Sequence, residues 1–140
     1  MPMTRSEHGR SPLFAMDGET PTGGFAIVLD DVASVTLHAA LSGLAQRQRV
    51  TANNIANIDT PGFTAGRVSF EDSLRSAVEA GEPASALVSS GFSSDNAGVN
   101  GNNVNLASEI TIDEETTLAT QLMSGALTSK FALISTVLGG

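Results

Sequence analysis

The sequence contains no cysteine, tryptophan or tyrosine, and its aromatic residues are six phenylalanines, which make up 4% of the chain. Without cysteine, disulfides, thiolate metal sites and cysteine nucleophiles are excluded. Because large rings supply much of the area that compact cores bury, so few of them argue against a rich central core. The apolar residues that remain are mainly Leu, Val, Ile and Ala, which suit packing along helical faces.

Basic residues are also scarce, with seven Lys and Arg against fifteen Asp and Glu and a net charge of −8. Nucleic acids and anionic lipid surfaces are bound by clustered basic side chains, so neither is an expected partner. No stretch of the sequence approaches the roughly 20 apolar residues of a membrane-spanning helix. The N-terminal region lacks the pattern of a secretory signal peptide. We therefore expect no direct membrane insertion and no signal cleavage.

The length of 140 residues fits one modest domain preceded by a tail. Residues 1–29 mix proline, glycine and charges without a period, which predicts a disordered N-terminal tail. Changes in periodicity and breaker residues divide the remainder, residues 30–140, into four parts. These parts are a helix over 30–57, a turn and short helix over 58–80, a flexible or partly β connection over 81–104 and a C-terminal helix over 105–138.

Both long helices carry an apolar stripe at spacings of three and four residues, which is typical of one helical face. The predicted seam residues are Leu37, Leu41, Leu44 and Ile55 in the first helix, and Leu127, Phe131, Ile134 and Leu138 in the last. The pattern predicts a mainly α fold in which the two terminal helices pack as a coiled-coil-like hairpin. Two helices cover such stripes poorly, so apolar surface should remain for contacts that propagate between molecules.

Breaker and capping residues set the predicted end of the first helix and the start of the second. Pro61 pushes Thr60 out of helical dihedral angles, and Gly62 suits the positive φ of a type II turn. Ser69 followed by two acidic residues predicts the N-cap of the short helix.

Neither catalytic nor metal-binding patterns stand out. The chain has no Gly-x-Ser-x-Gly, Ser-x-x-Lys or phosphate-loop motif. The acidic run Asp113–Glu115 is interpreted as a solvated helix face, and His38 as a structural residue. We therefore expect no enzyme activity, no cofactor and no metal.

Three asparagines near the end of the first helix, Asn53, Asn54 and Asn57, allow two interpretations. Buried amides fix the register between packed helices in some proteins. Asparagine equally favours the capping of helix ends and the formation of turns. The residues alone favour the second interpretation.

The segment from Ala52 to Phe63, Ala-Asn-Asn-Ile-Ala-Asn-Ile-Asp-Thr-Pro-Gly-Phe, closely resembles the N-terminal signature of flagellar rod and hook proteins. Gly101-Asn102-Asn103-Val104-Asn105-Leu106, followed by Glu109, resembles a second element of that axial family. The continuation Val68–Glu71 is most similar to the proximal rod type. The motif residues assigned to assembly are Asn53, Asn54, Ile55, Ala56, Asn57, Asp59, Thr60, Pro61, Gly62 and Phe63.

The resemblance implies a structural subunit of the flagellar basal-body rod that polymerises through its terminal helices and is required for motility. Its implied partners are copies of itself, other rod subunits, the adaptor that joins the rod to the membrane ring, and the flagellar type III export apparatus. The implied location is the periplasmic part of the basal body. Another rod or hook subunit, and a soluble helical adaptor that does not polymerise, are the alternatives.

Overall fold

The computed structural model describes residues 22–139, and side chains from residue 31 onward. Within this range the chain is mainly helical, as predicted, with three α-helices and one pair of antiparallel strands. The elements in chain order are α1 (Thr22–Ala56), β1 (Gly66–Ser69), α2 (Glu71–Glu79), a 3-10 turn (Pro83–Ser85), β2 (Ser89–Phe92) and α3 (Leu106–Gly139).

Helix α1 begins at Thr22, earlier than the predicted start at Asp30, so the predicted tail is wrong for residues 22–29. Because a helix is costly to nucleate but adds one hydrogen bond for each further residue, it extends until a strong stop signal interrupts it. Two aspartates are not such a signal. The part of the predicted tail over residues 1–21 lies outside the described residues.

A β-turn follows α1, as the sequence predicts. The Phe63 N–H donates to the Thr60 carbonyl over 3.2 Å, and Gly62 has φ +73°. The predicted N-cap at Ser69 is wrong, because Ser69 is the last residue of β1 and Phe70 precedes α2. The Glu71 carboxylate accepts the Phe70 N–H instead, over 3.1 Å.

The connection between α2 and α3 is partly β, one of the two forms expected for it. Strand β2 pairs antiparallel with β1, with Gly66 opposite Phe92 and Ser69 opposite Ser89. This pairing holds the connection close to the end of α1. Helix α3 then begins where predicted, because the Asn105 side chain accepts the Ser108 N–H over 3.1 Å and caps its first turn.

The apolar core is small and lies between α1, β1, α2 and α3. Its buried members are Leu44, Val68 and Phe70, against which Val50, Leu74, Ala119 and Met123 pack. The Phe70 ring lies directly against Gly43 of α1, where any Cβ atom would overlap the ring. Glycine at this position therefore lets α1 and Phe70 approach each other closely.

Helix α3 has 34 residues, and the mean hydropathy of an 18-residue stretch of it is 1.3. By length and composition alone, this helix could span a membrane. Serine, threonine and glycine interrupt its apolar residues, so the sequence shows no continuous apolar run there. One such helix is weak support for a span, and the expectation of no direct membrane insertion stays a prediction.

Candidate assembly site

A cluster of buried polar side chains joins the end of α1 to the start of α3. We call it the polar clasp and define it by five residues: Asn54, Arg67, Asn102, Asn103 and Glu109. Four of the five are buried, and Arg67 is half-buried. Since burying polar groups without partners is unfavourable, their hydrogen bonds decide whether this cluster stabilises the fold.

Asn54, near the end of α1, bonds both β1 and α3. Its side-chain NH2 group donates to the Gly66 carbonyl over 2.9 Å and to Glu109 Oε2 over 3.0 Å. Its side-chain carbonyl oxygen, Oδ1, accepts the Gly66 N–H over 2.8 Å. Space is tight here, because a Cβ on Gly66 would lie 2.7 Å from a methyl group of Val50. Asn54 thus fixes the position of β1 and α3 relative to α1.

Glu109 is fully buried, and its charge is matched by Arg67. The guanidinium Nη1 lies 2.6 Å from Glu109 Oε1, and the other terminal nitrogen of Arg67 lies 3.2 Å from Asp95 Oδ2. The Ser93 hydroxyl, which donates to Asp95, and then the Arg67 guanidinium hold the pKa of Asp95 below its usual range. Arg67 therefore ties the first turn of α3 to the loop that follows β2.

Asn102 lies against the turn that follows α1. Its side-chain NH2 group lies within hydrogen-bond distance of the carbonyls of Asn57, Ile58 and Thr60, at 2.8–2.9 Å. All three residues lie beyond Ala56, the last residue of α1, so these carbonyls belong to the turn that follows the helix. The side-chain carbonyl of the neighbouring Asn103 accepts the Ala65 N–H over 2.7 Å. The segment before α3 thus holds in place the turn that follows α1.

A second polar group lies beside the apolar core. Arg47 donates to Glu71 Oε1 over 2.5 Å and stands 4.9 Å from the centroid of the Phe70 ring. Burial raises the pKa of Glu71, but the Phe70 N–H and the Arg47 guanidinium outweigh it, and the pKa lies below its usual value. An apolar groove of about 690 Å³ opens here between the three helices, with Leu44, Phe70 and Met123 in its lining.

The outer surface of α3 is apolar over much of its length. Leu118, Leu122, Leu133 and Val137 are 58%, 64%, 69% and 80% exposed. At 100° per residue these four side chains project from neighbouring directions on the helix. We call them the α3 ridge.

The predicted motif residues are placed differently from one another. Asn54 is buried and bonds across the fold, as the register interpretation of the asparagines requires. Asn57 instead donates to the Asn53 carbonyl over 2.8 Å and accepts from the Thr60 hydroxyl, which is local capping. Asn54 therefore makes long-range contacts and Asn57 local ones, and a role of these asparagines in helix register stays a prediction. Of the other motif residues, Ile55 and Phe63 are half-buried, and Ala56, Asp59, Thr60, Pro61 and Gly62 are exposed.

The predicted seam residues divide in the same way. Leu44 is buried, and the half-buried members are Leu37, Leu41, Ile55, Leu127 and Ile134. Phe131 and Leu138 were predicted in the seam, but they are 53% and 81% exposed. In the second half of α3 the half-buried side chains are Met123, Leu127, Lys130 and Ile134. They are spaced by fours and threes, which is the spacing of a coiled-coil seam. Phe131 and Leu138 lie beside it.

The acidic run of α3 lies largely at the surface. Glu114 and Glu115 are exposed, Asp113 is half-buried, and His38 is exposed. Across the described part of the chain, no three His, Cys, Asp or Glu side chains are grouped as metal ligands.

Sequence reasoning missed the central role of the Arg67–Glu109 pair. Glu109 was one of several acidic residues in the first half of α3, and Arg67 belonged to no motif. The resemblance did include Asn102, Asn103 and Glu109, and that was the one available signal. It could not reveal that these residues meet the first motif in space.

Comparison with known proteins identifies the family to which this chain belongs. A family model described as flagella basal body rod protein matches residues 36–64, which include the end of α1 and the turn after it. The flagellar basal body rod protein FlgB of Escherichia coli (strain K12) is 45% identical over 49 residues, which cover 35% of this chain and 36% of the relative. FlgB of Borreliella burgdorferi is 50% identical over 40 residues, covering 29% of this chain and 30% of the relative.

A longer alignment extends beyond this motif. FlgB of Bacillus subtilis (strain 168) is 34% identical over 119 residues, which cover 74% of this chain and 91% of the relative. The chain belongs to the FlgB family of flagellar basal body rod proteins. Its match spans about a third of the E. coli relative's length and nearly all of the B. subtilis relative's.

Proposed function

We propose that this chain is a structural, non-enzymatic subunit of the proximal flagellar rod, that it polymerises through its terminal helices and that motility requires it. Family membership supports the rod role. The observation that carries polymerisation is the α3 ridge, because large apolar side chains exposed along one helix are unfavourable for a molecule that stays alone in water.

We infer that α1 and α3 form an antiparallel, coiled-coil-like hairpin. Asn54 near the end of α1 bonds Glu109 near the start of α3, while Leu44, earlier in α1, shares the core cluster with Met123, later in α3. Residue numbers therefore rise in one helix as they fall in the other. The half-buried line of α3 has the spacing of a coiled-coil seam.

The motif and the seam then have separate roles in our proposal. Asn54 and Leu44 hold the subunit together from inside. The exposed motif residues, among them Asn53, Asp59 and Pro61, and the exposed Phe131 are free to contact neighbouring subunits. Different patches on each molecule would meet, which makes the contact heterologous and lets it propagate along a shaft.

Partners and location follow from the same proposal. We propose contacts with copies of this chain, with other rod subunits and with the adaptor between the rod and the membrane ring. We further propose passage through the flagellar type III export apparatus without a cleaved signal peptide, into the periplasmic part of the basal body. Family membership supports this placement.

A pair of matched substitutions in α3 tests the polymerisation proposal. Leu133→Asp places a charge on the α3 ridge, whereas Thr128→Asp places the same charge on another exposed face of the same helix. Burying a leucine contributes about 1.5–3 kcal/mol at each contact, and a charge there removes that gain. Each variant is expressed in a strain that lacks the native gene, and swimming and the protein content of isolated basal bodies are measured.

We expect Leu133→Asp to stop swimming and to be missing from basal bodies, while Thr128→Asp supports both. Circular dichroism of the two purified variants checks that both fold equally. Normal swimming with Leu133→Asp would contradict the role of the α3 ridge in assembly.

The length and hydropathy of α3 give weak support to a second candidate function, in which this helix inserts into a membrane. Fractionation separates the two: a rod subunit is recovered with basal bodies after detergent treatment, whereas a membrane helix is released with the lipid. Release by mild detergent alone would favour the second function.

A further inference from the structure

The segment before α3 contains the only Asn-Gly pair in the chain, Asn100-Gly101. Glycine has no Cβ, so nothing shields its backbone nitrogen from the side chain before it. In such pairs that nitrogen can attack the asparagine amide carbon.

We propose that Asn100 is a self-modification site, a deamidation site whose reaction with Gly101 is held back by the hydrogen-bonded turn beside the polar clasp. The Gly101 nitrogen loses its proton and bonds to Cγ of Asn100. The Cγ–Nδ2 bond breaks, and the leaving nitrogen takes up a proton and departs as ammonia. Water then opens the resulting succinimide ring at either carbonyl, leaving aspartate or isoaspartate at position 100.

The structure shows three hydrogen bonds that oppose this attack. The Gly101 N–H donates to the Gly98 carbonyl over 2.9 Å, which retains its proton and directs the nitrogen away from the side chain. The Asn102 N–H donates to Asn100 Oδ1 over 3.1 Å and fixes the side-chain amide. The Gly62 N–H donates to the Asn100 carbonyl over 2.9 Å and fixes the backbone.

The exposure of Asn100 and the backbone geometry at Gly101 determine what happens when the turn opens. Asn100 is exposed, so water reaches the amide once the turn opens. Gly101 has φ +77°, and a Cβ there would lie 3.3 Å from the Gly62 Cα, so the closed turn is closely fitted. Isoaspartate adds a methylene group to the backbone, which would separate Asn100 from Gly62. A chain that reacts while this turn is open therefore closes poorly afterwards, and the modified residue identifies chains in which the turn has opened.

The test uses the purified full-length chain, incubated at mildly alkaline pH in native buffer and in concentrated urea. Peptide mass spectrometry with separation of isoaspartate follows conversion at Asn100, and Asn96 in the same loop serves as the internal control. We expect conversion in native buffer to be at least roughly tenfold slower than in urea, which corresponds to about 1.4 kcal/mol of protection. Asn96, which precedes alanine, should react far more slowly in both conditions.

A variant provides the second arm of the test. Asn102→Ala removes the side chain that holds the turn after α1, where Gly62 bonds Asn100. It should speed conversion at Asn100 in native buffer roughly tenfold, or about 1.4 kcal/mol. Equal rates in native buffer and urea, or no conversion in urea, would overturn the proposal. An unchanged rate in Asn102→Ala would overturn it too if circular dichroism shows that the variant is folded. If the variant is unfolded, the comparison on the unaltered chain decides.

Discussion

Replacing Arg67 with alanine is the most direct test of the polar clasp. Glu109 is 0% exposed, whereas the Arg67 side chain is 30% exposed. Arg67→Ala leaves a buried carboxylate without its cation, and breaking a buried ion pair in this way costs about 3–5 kcal/mol. Asn54 still donates to Glu109, and the N-terminal end of α3 still favours a negative charge, so we expect the lower half of this range.

Because Glu109 is more deeply buried than Arg67, removing either partner should cost a different amount of stability. Glu109→Gln leaves Arg67 partly in contact with water, so its cost should be smaller, about 1–3 kcal/mol. The double variant Arg67→Ala with Glu109→Gln should be more stable than Arg67→Ala alone, because it contains no unpaired buried charge.

Urea unfolding followed by circular dichroism measures these differences. Arg75→Ala is the matched control, because Arg75 pairs with Asp72 at the surface, where the two side chains are 68% and 93% exposed. Exposed pairs contribute about 0–1 kcal/mol. If Arg67→Ala destabilises the chain no more than Arg75→Ala does, the clasp does not hold the fold together as argued.

Two further predictions use the same unfolding assay. Gly43→Ala should lower the free energy of unfolding by about 1–3 kcal/mol, because its Cβ overlaps the Phe70 ring. Gly125→Ala, in open space within α3, should raise it by about 0.5–1 kcal/mol. Equal effects of the two variants would contradict the close approach at Gly43. The folded-state pKa of Glu71 lies below its ordinary value of 4.5, so its contribution is complete above that pH and is lost as the pH falls through the lower folded value. Glu71→Gln should therefore lose less stability than the native chain below about pH 4.5, and parallel losses would contradict this assignment.

Some element ends coincide with local sequence signals. Pro61 and Gly62 end the first helix region in a turn, and the Asn105 side chain caps α3. These signals act over a few residues, because capping and turn formation depend on nearby backbone groups. The start of α1 was missed because the adjoining residues carry no strong signal, and helix propagation decided it.

Side-chain partners at long range could not be predicted in the same way. The sequence shows Arg67 and Glu109 forty-two positions apart, and nothing in either neighbourhood marks them as a pair. Likewise, Phe131 has the spacing of an apolar stripe, yet it is 53% exposed. Which of two neighbouring lines on a helix turns inward depends on the partner it meets.

The sequence by itself determined that the chain is mainly helical, that a turn follows the first long helix, and that its two motifs resemble those of rod proteins. Periodicity, capping and turn formation are local properties, so they can be read without knowing the fold. Only the tertiary structure showed that the two motifs meet in one clasp, with Asn54 and Glu109 buried at its centre. Burial and charge pairing depend on distances between remote parts of the chain, and folding alone sets those distances.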